Sequence, residues 1–145
     1  LFGASGIAAS TAATSGNSQG LTFNAVLMGT VTASAGSVLC AFASTATTTA
    51  PITVQVCPAT QDLTTWVGIA AVQTSTGSVV PIYTSGFVLA LTTAAVSIGQ
   101  TLVVTDNVDA NGYLEADATP TTGADVAVAL STGNAAGGLT KVRLR

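Results

Sequence analysis

Few residues of this chain could do chemistry, and their spacing narrows the choice further. Four of its six carboxylates fall in one stretch, "TDNVDANGYLEAD" at residues 105–117: Asp106, Asp109, Glu115 and Asp117. Within it Asn107, Asp109, Asn111 and Gly112 take the first, third, fifth and sixth places of a calcium-loop pattern, in which successive oxygens wrap one cation. The first place is Asn rather than Asp, however, and the twelfth, which should supply a bidentate Glu, is Ala118. Most of the charge that would hold the ion is therefore missing. A β-hairpin accounts for more of these residues. Asn111-Gly112 supplies a positive φ cheaply, and Asp109 can close an Asx-turn. A loop of about five to seven residues sets Leu114 and Ala116 on one face with Leu102 and Val104, leaving Tyr113, Glu115 and Asp117 outward. The stretch is expected to be a turn, with no bound metal.

Catalytic groupings are equally sparse. Histidine is absent, which removes the commonest general base and the commonest metal ligand. No G-x-S-x-G elbow and no phosphate-binding G-x-x-x-x-G-K-[ST] occurs. The carboxylates gather around one turn instead of converging from separate strands, as a glycosidase would require. Trp66, the sole tryptophan, precedes an apolar strand and reads as a core or interface residue before a sugar platform. The expectation is a protein that is not an enzyme and needs no cofactor.

Two cysteines, Cys40 and Cys57, flank the linker "TATTTA" on strand-like segments. A symmetric hairpin would place them opposite each other, whereas a shift of one residue would send one thiol to the other face. The reading favours two reduced, buried thiols over a bridge. At the C-terminus "KVRLR" alternates, so Val142 and Leu144 face one way while Lys141, Arg143 and Arg145 face the other. These are the only Lys and Arg residues, and they suit two roles equally: protection of an edge strand, or a stripe that meets carboxylates on a partner.

The elements that must position these groups are short. From Leu21 onward, apolar runs alternate with Gly, Asn, Ser and Thr. Strands are expected in "LTFNAVLMG", "SVLCAFAS", "ITVQVC", "WVGIAAV", "SVVPIYT", "GFVLAL", "TLVVT", "GYLEA", "DVAVAL" and "LTKVRLR". This is an all-β pattern, a small β-barrel or sandwich of short antiparallel strands. "TTAAVSIGQ" is the best place for a single helical turn or a loop. Pro81 cannot donate to a ladder and points to an edge strand or a bulge. A weak repeat links "VGIAAVQTSTGSVVPIY" with "VAVALSTGNAAGGLTKVRL", two copies of one hairpin type suited to one small closed barrel. Residues 1–20 have no sustained period and read as a flexible N-terminal arm, 21–65 as a β-hairpin region leading into the barrel, and 66–145 as the barrel core.

Charged residues make up 6% of the chain against roughly 25% in ordinary domains, with a net charge of −3. Such a surface costs little to desolvate, which favours burial against neighbours in an assembly. No basic cluster is interleaved with aromatics, so nucleic acid is not an expected partner. No apolar run approaches the ~18 residues of a membrane helix. "LFGASGIAAS" lacks the cationic start of a secretion signal.

The C-terminal half, with its "VGIA" strand, its "G-x-V-x-x-x-x-x-G" return, its "A-x-x-x-G-x-x-L" entry to "D-x-x-G" and its final "V-x-L", resembles the small β-barrel capsid cement, or decoration, proteins of tailed bacteriophages. The resemblance covers about residues 66–145. It implies a virion structural protein, often a homotrimer, that binds the outside of a major capsid lattice and reinforces it. In that setting Leu1, Phe2 and Ile7 of the arm, with Lys141, Arg143 and Arg145, are the candidate interface residues. The alternative is a bacterial surface or pilus-type β-domain for adhesion, which would favour a Cys40–Cys57 bridge and require an export signal upstream of Leu1.

Overall fold

The computed structural model describes residues 22–42, 52–58, 66–93, 96–104, 112–117, 125–133 and 138–145. The arm 1–20, and with it Leu1, Phe2 and Ile7, lies outside them. Among the described residues ten strands follow one another: β1 (Thr22–Leu27), β2 (Val38–Ala41), β3 (Thr53–Val56), β4 (Trp66–Ala70), β5 (Val79–Tyr83), β6 (Gly86–Thr92), β7 (Thr101–Val104), β8 (Leu114–Ala116), β9 (Ala127–Ala129) and β10 (Gly138–Leu144). Each falls on one of the ten expected runs, β6 and β10 exceeding theirs by one residue, Thr92 and Gly138. The pleat sends alternate residues inward, so Ala25 and Leu27 of β1 are buried while Val26 between them is only partly so. No helix occurs among the described residues, and the segment around Ser97 is a tight turn beside a bridge between Val96 and Gly133.

The strands form two closed five-stranded barrels, ordered β1-β3-β2-β4-β5 and β10-β6-β8-β7-β9. The second order is the first repeated, with β6 in the place of β1 and β10 in the place of β5. Both barrels have one parallel pair, β1 with β3 and β6 with β8, and are otherwise antiparallel. The repetition reaches individual bonds. Gly36 donates to Ala70 O as Gly99 donates to Ala129 O, both at 2.8 Å. Ala33 bridges Thr74 as Val96 bridges Gly133. The two similar hairpins of the sequence are β4–β5 and β9–β10, one in each barrel rather than both in one. The expected division at residue 65 is accordingly corrected. β4 and β5 close the first barrel with β1, and the second begins at Gly86.

Leu27, Leu39, Val54 and Ile82 fill the first barrel. Leu102, Leu114, Ala127 and Val142 fill the second, in a cluster that continues into Val38, Cys40, Cys57 and Ile69 on the outer wall of the first. Burial of each large aliphatic side chain contributes about 1.5–3 kcal/mol. Inside the second barrel the hydroxyls of Thr92 and Thr140 bond each other at 3.0 Å. Pro81 sits on neither an edge nor a bulge, because β5 has partners on both sides. Ala71 donates to the Pro81 carbonyl, and β4 pairing stops at Ala70, where a returning N–H would otherwise be required.

Candidate interaction surfaces

The contact between the barrels is made by backbone as much as by side chains. In the β2–β3 ladder Cys57 donates to Val38 O at 2.9 Å, and an antiparallel pair would normally return that bond. Instead Val38 donates to Gly112 O at 2.8 Å and Gly112 donates to Cys57 O at 2.9 Å. Gly112 is thus inserted into the first barrel's ladder as an extra link. It has φ +81°, and a Cβ built there would overlap Val56 Cγ1. Only glycine fits both demands. Of the acidic stretch, 105–111 lies outside the described residues, including Asp106, Asn107, Asp109 and Asn111. The strands that flank it pair as expected, Leu102 with Ala116 and Val104 with Leu114.

A second contact lies beside the first. Leu91 donates to Gly36 O at 3.0 Å, and a Cβ on Gly36 would stand 2.6 Å from Leu139 Cδ2 and 3.4 Å from Leu91 Cγ. The corresponding donor in the first barrel, Val26, bonds Ile52 O within its own barrel. The second barrel's β6–β8 seam is therefore parted by its neighbour, and the first barrel's β1–β3 seam is closed. The sequence carried a signal for Gly112 as a turn residue but none for these inter-barrel roles, because both depend on pairing between distant segments.

Cys40 and Cys57 are joined by a disulfide, with Cα atoms 5.0 Å apart. The expectation of two reduced thiols is corrected. They are not directly opposite, since Cys40 faces Gln55 and Cys57 follows the end of β3. The register is displaced by an even step, so both side chains stay on one face and the diagonal can be bridged. Trp66 pairs with Cys40 across β2–β4 and packs on the same core cluster.

β10 alternates as expected: Val142 and Leu144 are buried while Lys141, Arg143 and Arg145 are exposed. Edge protection does not explain these charges, because β10 is paired with β6 on one side and β9 on the other. Arg145 is engaged within the chain, its Nη1 lying 2.8 Å from Asp125 Oδ2. Lys141 and Arg143 stand beside apolar neighbours on β6, Arg143 opposite Phe87 and Lys141 opposite Leu89. Phe87 is half exposed, so the outer face of β6–β10 is mixed basic and apolar. Two shallow recesses mark the described surface. One is lined by Met28, Gly29, Val31, Gln55 and Pro58, and the other lies at the barrel junction among Gly36, Ala70, Tyr83, Leu89 and Leu139. Neither has a carboxylate, amine or thiol in its lining.

This architecture defines a class, an all-β chain built from two barrels of one topology joined by an inserted backbone. No known protein family matches the sequence, and no curated protein does. Among solved structures the chain is similar to the N base of the head fiber protein gp8.5 of bacteriophage phi29, with a TM-score of 0.59 and 14% identity over 86% of this chain and 93% of that one. At that identity the likeness is one of fold.

Proposed function

We propose that this protein is a bacteriophage virion structural protein that binds the outer surface of a major capsid lattice and reinforces it as a capsid cement or decoration protein. The observation that carries the reading is the agreement between two independent likenesses. The sequence resembles phage capsid cement proteins, and the fold is similar over nearly the whole chain to the base of a phage head fiber. The role is structural rather than catalytic. The low-charge, hydroxyl-rich surface supports burial in an assembly. In this reading the protein assembles in the host cytoplasm as a homo-oligomer, a trimer as in the resembled family. Lys141 and Arg143 meet carboxylates of the major capsid protein, and the arm with Leu1, Phe2 and Ile7 occupies apolar gaps between its subunits.

The test is binding of the purified protein to undecorated shells of the phage that encodes it, followed by imaging of the particle. Saturable occupancy on the outer surface, with delayed release of the genome on heating, is the expected result. Deleting residues 1–20 should leave the free protein's melting temperature unchanged and lower its occupancy on heated or diluted particles. No binding to shells would overturn the proposal.

A second reading, a surface or pilus-type adhesion domain, draws support from the Cys40–Cys57 bridge, since disulfides persist in oxidising surroundings. A particle released from its host meets the same surroundings. Detection of the protein on intact host cells rather than on particles would favour adhesion.

A further inference from the structure

We infer that copies of this chain associate head to tail, with the Ile98–Gly99 turn of one copy seated on the Val26–Val79 pair of the next. The inference rests on the homo-oligomer of the proposed function but requires no capsid. It follows from the repeat. Within one chain the Gly36 turn of the first barrel packs against Leu91 and Leu139 of the second, which are direct cross-strand partners. In the first barrel the equivalent cross-strand partners are Val26 and Val79. In the second barrel the equivalent of Gly36 is Gly99, which has the same positive φ, +88° against +93°, and the same bond to the following hairpin. Each chain therefore carries a second turn with no barrel on it and a second apolar pair with no turn on it.

Exposure supports the assignment. Nothing lies within 4 Å of a Cβ built on Gly99, whereas Gly36 is crowded by Leu139 and Leu91. Ile98 beside it is 69% exposed, Val79 is 60% exposed and Ile52, at the end of the same wall, is 55% exposed. Among the described residues these are the three most exposed large hydrophobics. Apart from chance exposure of single side chains, apolar groups left open at the two halves of a contact the chain already makes mark an interface that another copy completes. Neither surface includes a charged side chain among the residues named, so the contact buries no unpaired ion.

The contact cannot repeat in full. The position equivalent to Gly112 is Ile52, whose carbonyl is occupied by Val26 N–H at 2.9 Å. The backbone insertion that fixes the barrels within a chain is thus unavailable between chains, and only the side-chain half is reproduced. Association between copies is accordingly weaker than the intrachain contact. Because the two surfaces differ, the contact is heterologous and closes into a ring only when its rotation permits.

The experiment is sedimentation of the full chain across a range of concentrations, without shells. The unaltered protein should associate, and Val79→Asp and Ile98→Asp should each weaken association at least about tenfold, the effect of losing a central apolar contact. Val79→Asp combined with Ile98→Lys should restore part of it. Phe87→Asp, on the outer face of β6, should leave the mass unchanged. Unfolding is excluded for each variant by its far-ultraviolet spectrum and melting curve. A protein that stays monomeric at every concentration, or Val79→Asp and Ile98→Asp variants that associate as tightly as the parent, overturns the inference. So does loss of association in Phe87→Asp alone, which moves the interface to β6–β10. Failure of shell binding with association intact would instead overturn only the capsid reading.

Discussion

Gly112 accepts the Val38 N–H at 2.8 Å, so a residue that precedes β8 of the second barrel completes the edge of β2 in the first. The two barrels share a hydrogen-bonded ladder as well as an apolar contact, which ties the stability of each to the other.

Substitution at Gly112 should therefore cost more than its turn conformation alone demands. Gly77 has a similar φ of +88° with nothing within 4 Å of its Cβ position, and it isolates the backbone term. Gly77→Ala should destabilise by about 1 kcal/mol and Gly112→Ala by about 2–4 kcal/mol, strain and overpacking combined. Denaturant midpoints decide this, and equal losses at the two sites would deny Gly112 its inter-barrel role.

Reduction of the Cys40–Cys57 bridge should lower stability by about 2–4 kcal/mol, since both residues are buried and the bridge closes a loop of sequence separation 17. Unfolding curves with and without reductant, with thiols counted by alkylation and mass, provide the measurement. Coincident curves at full reduction would show that packing alone holds β2 to β3.

The Thr92–Thr140 hydroxyl pair predicts a strongly non-additive cycle. Thr140→Val leaves the Thr92 hydroxyl buried without its partner and should cost about 1–3 kcal/mol. Replacing both by Val removes the polar atoms together and should cost less than the single change. Additive single losses would argue against the bond.

The three cations at the C-terminal end, Lys141 and Arg143 on β10 and Arg145 just after it, should separate by role. Arg145→Gln breaks an ion pair whose arginine is 47% exposed but whose Asp125 carboxylate is only 10% exposed, so the carboxylate left without its partner should cost about 1–3 kcal/mol. Lys141→Gln with Arg143→Gln should leave the melting temperature unchanged, slow association with an acidic partner and flatten its salt dependence. An unaltered rate and salt slope would remove these two residues from the docking surface.

What the sequence made legible was local. All ten strands were readable because alternation and turn residues are written within each short window, as "KVRLR" and the Leu102–Ala116 facing show. The repeat of the two hairpins was visible as well. Their assignment to separate barrels was not, because closure depends on β1 meeting β5 and β3, partners far along the chain with no local mark. Cys40 and Cys57 illustrate the same limit. Symmetry of the linker suggested direct opposition, whereas the actual register sets Cys40 opposite Gln55. Pro81 misled for a related reason: a strand can be paired on both sides and still have one position where its neighbour has ended.

Closure of both barrels has a consequence for life in a crowd. An open sheet ends in a row of unpaired N–H and C=O groups that will accept any passing strand, and hydroxyl-rich β-sequences with little charge are poorly defended against such pairing. Here the first and last strands of each barrel are stitched to each other, so the described strands offer no such row. Copies held at high local density can touch through side chains without templating one another into fibres. For a chain with so few charges to keep its neighbours apart, the ring itself supplies the safeguard that Lys and Glu provide elsewhere.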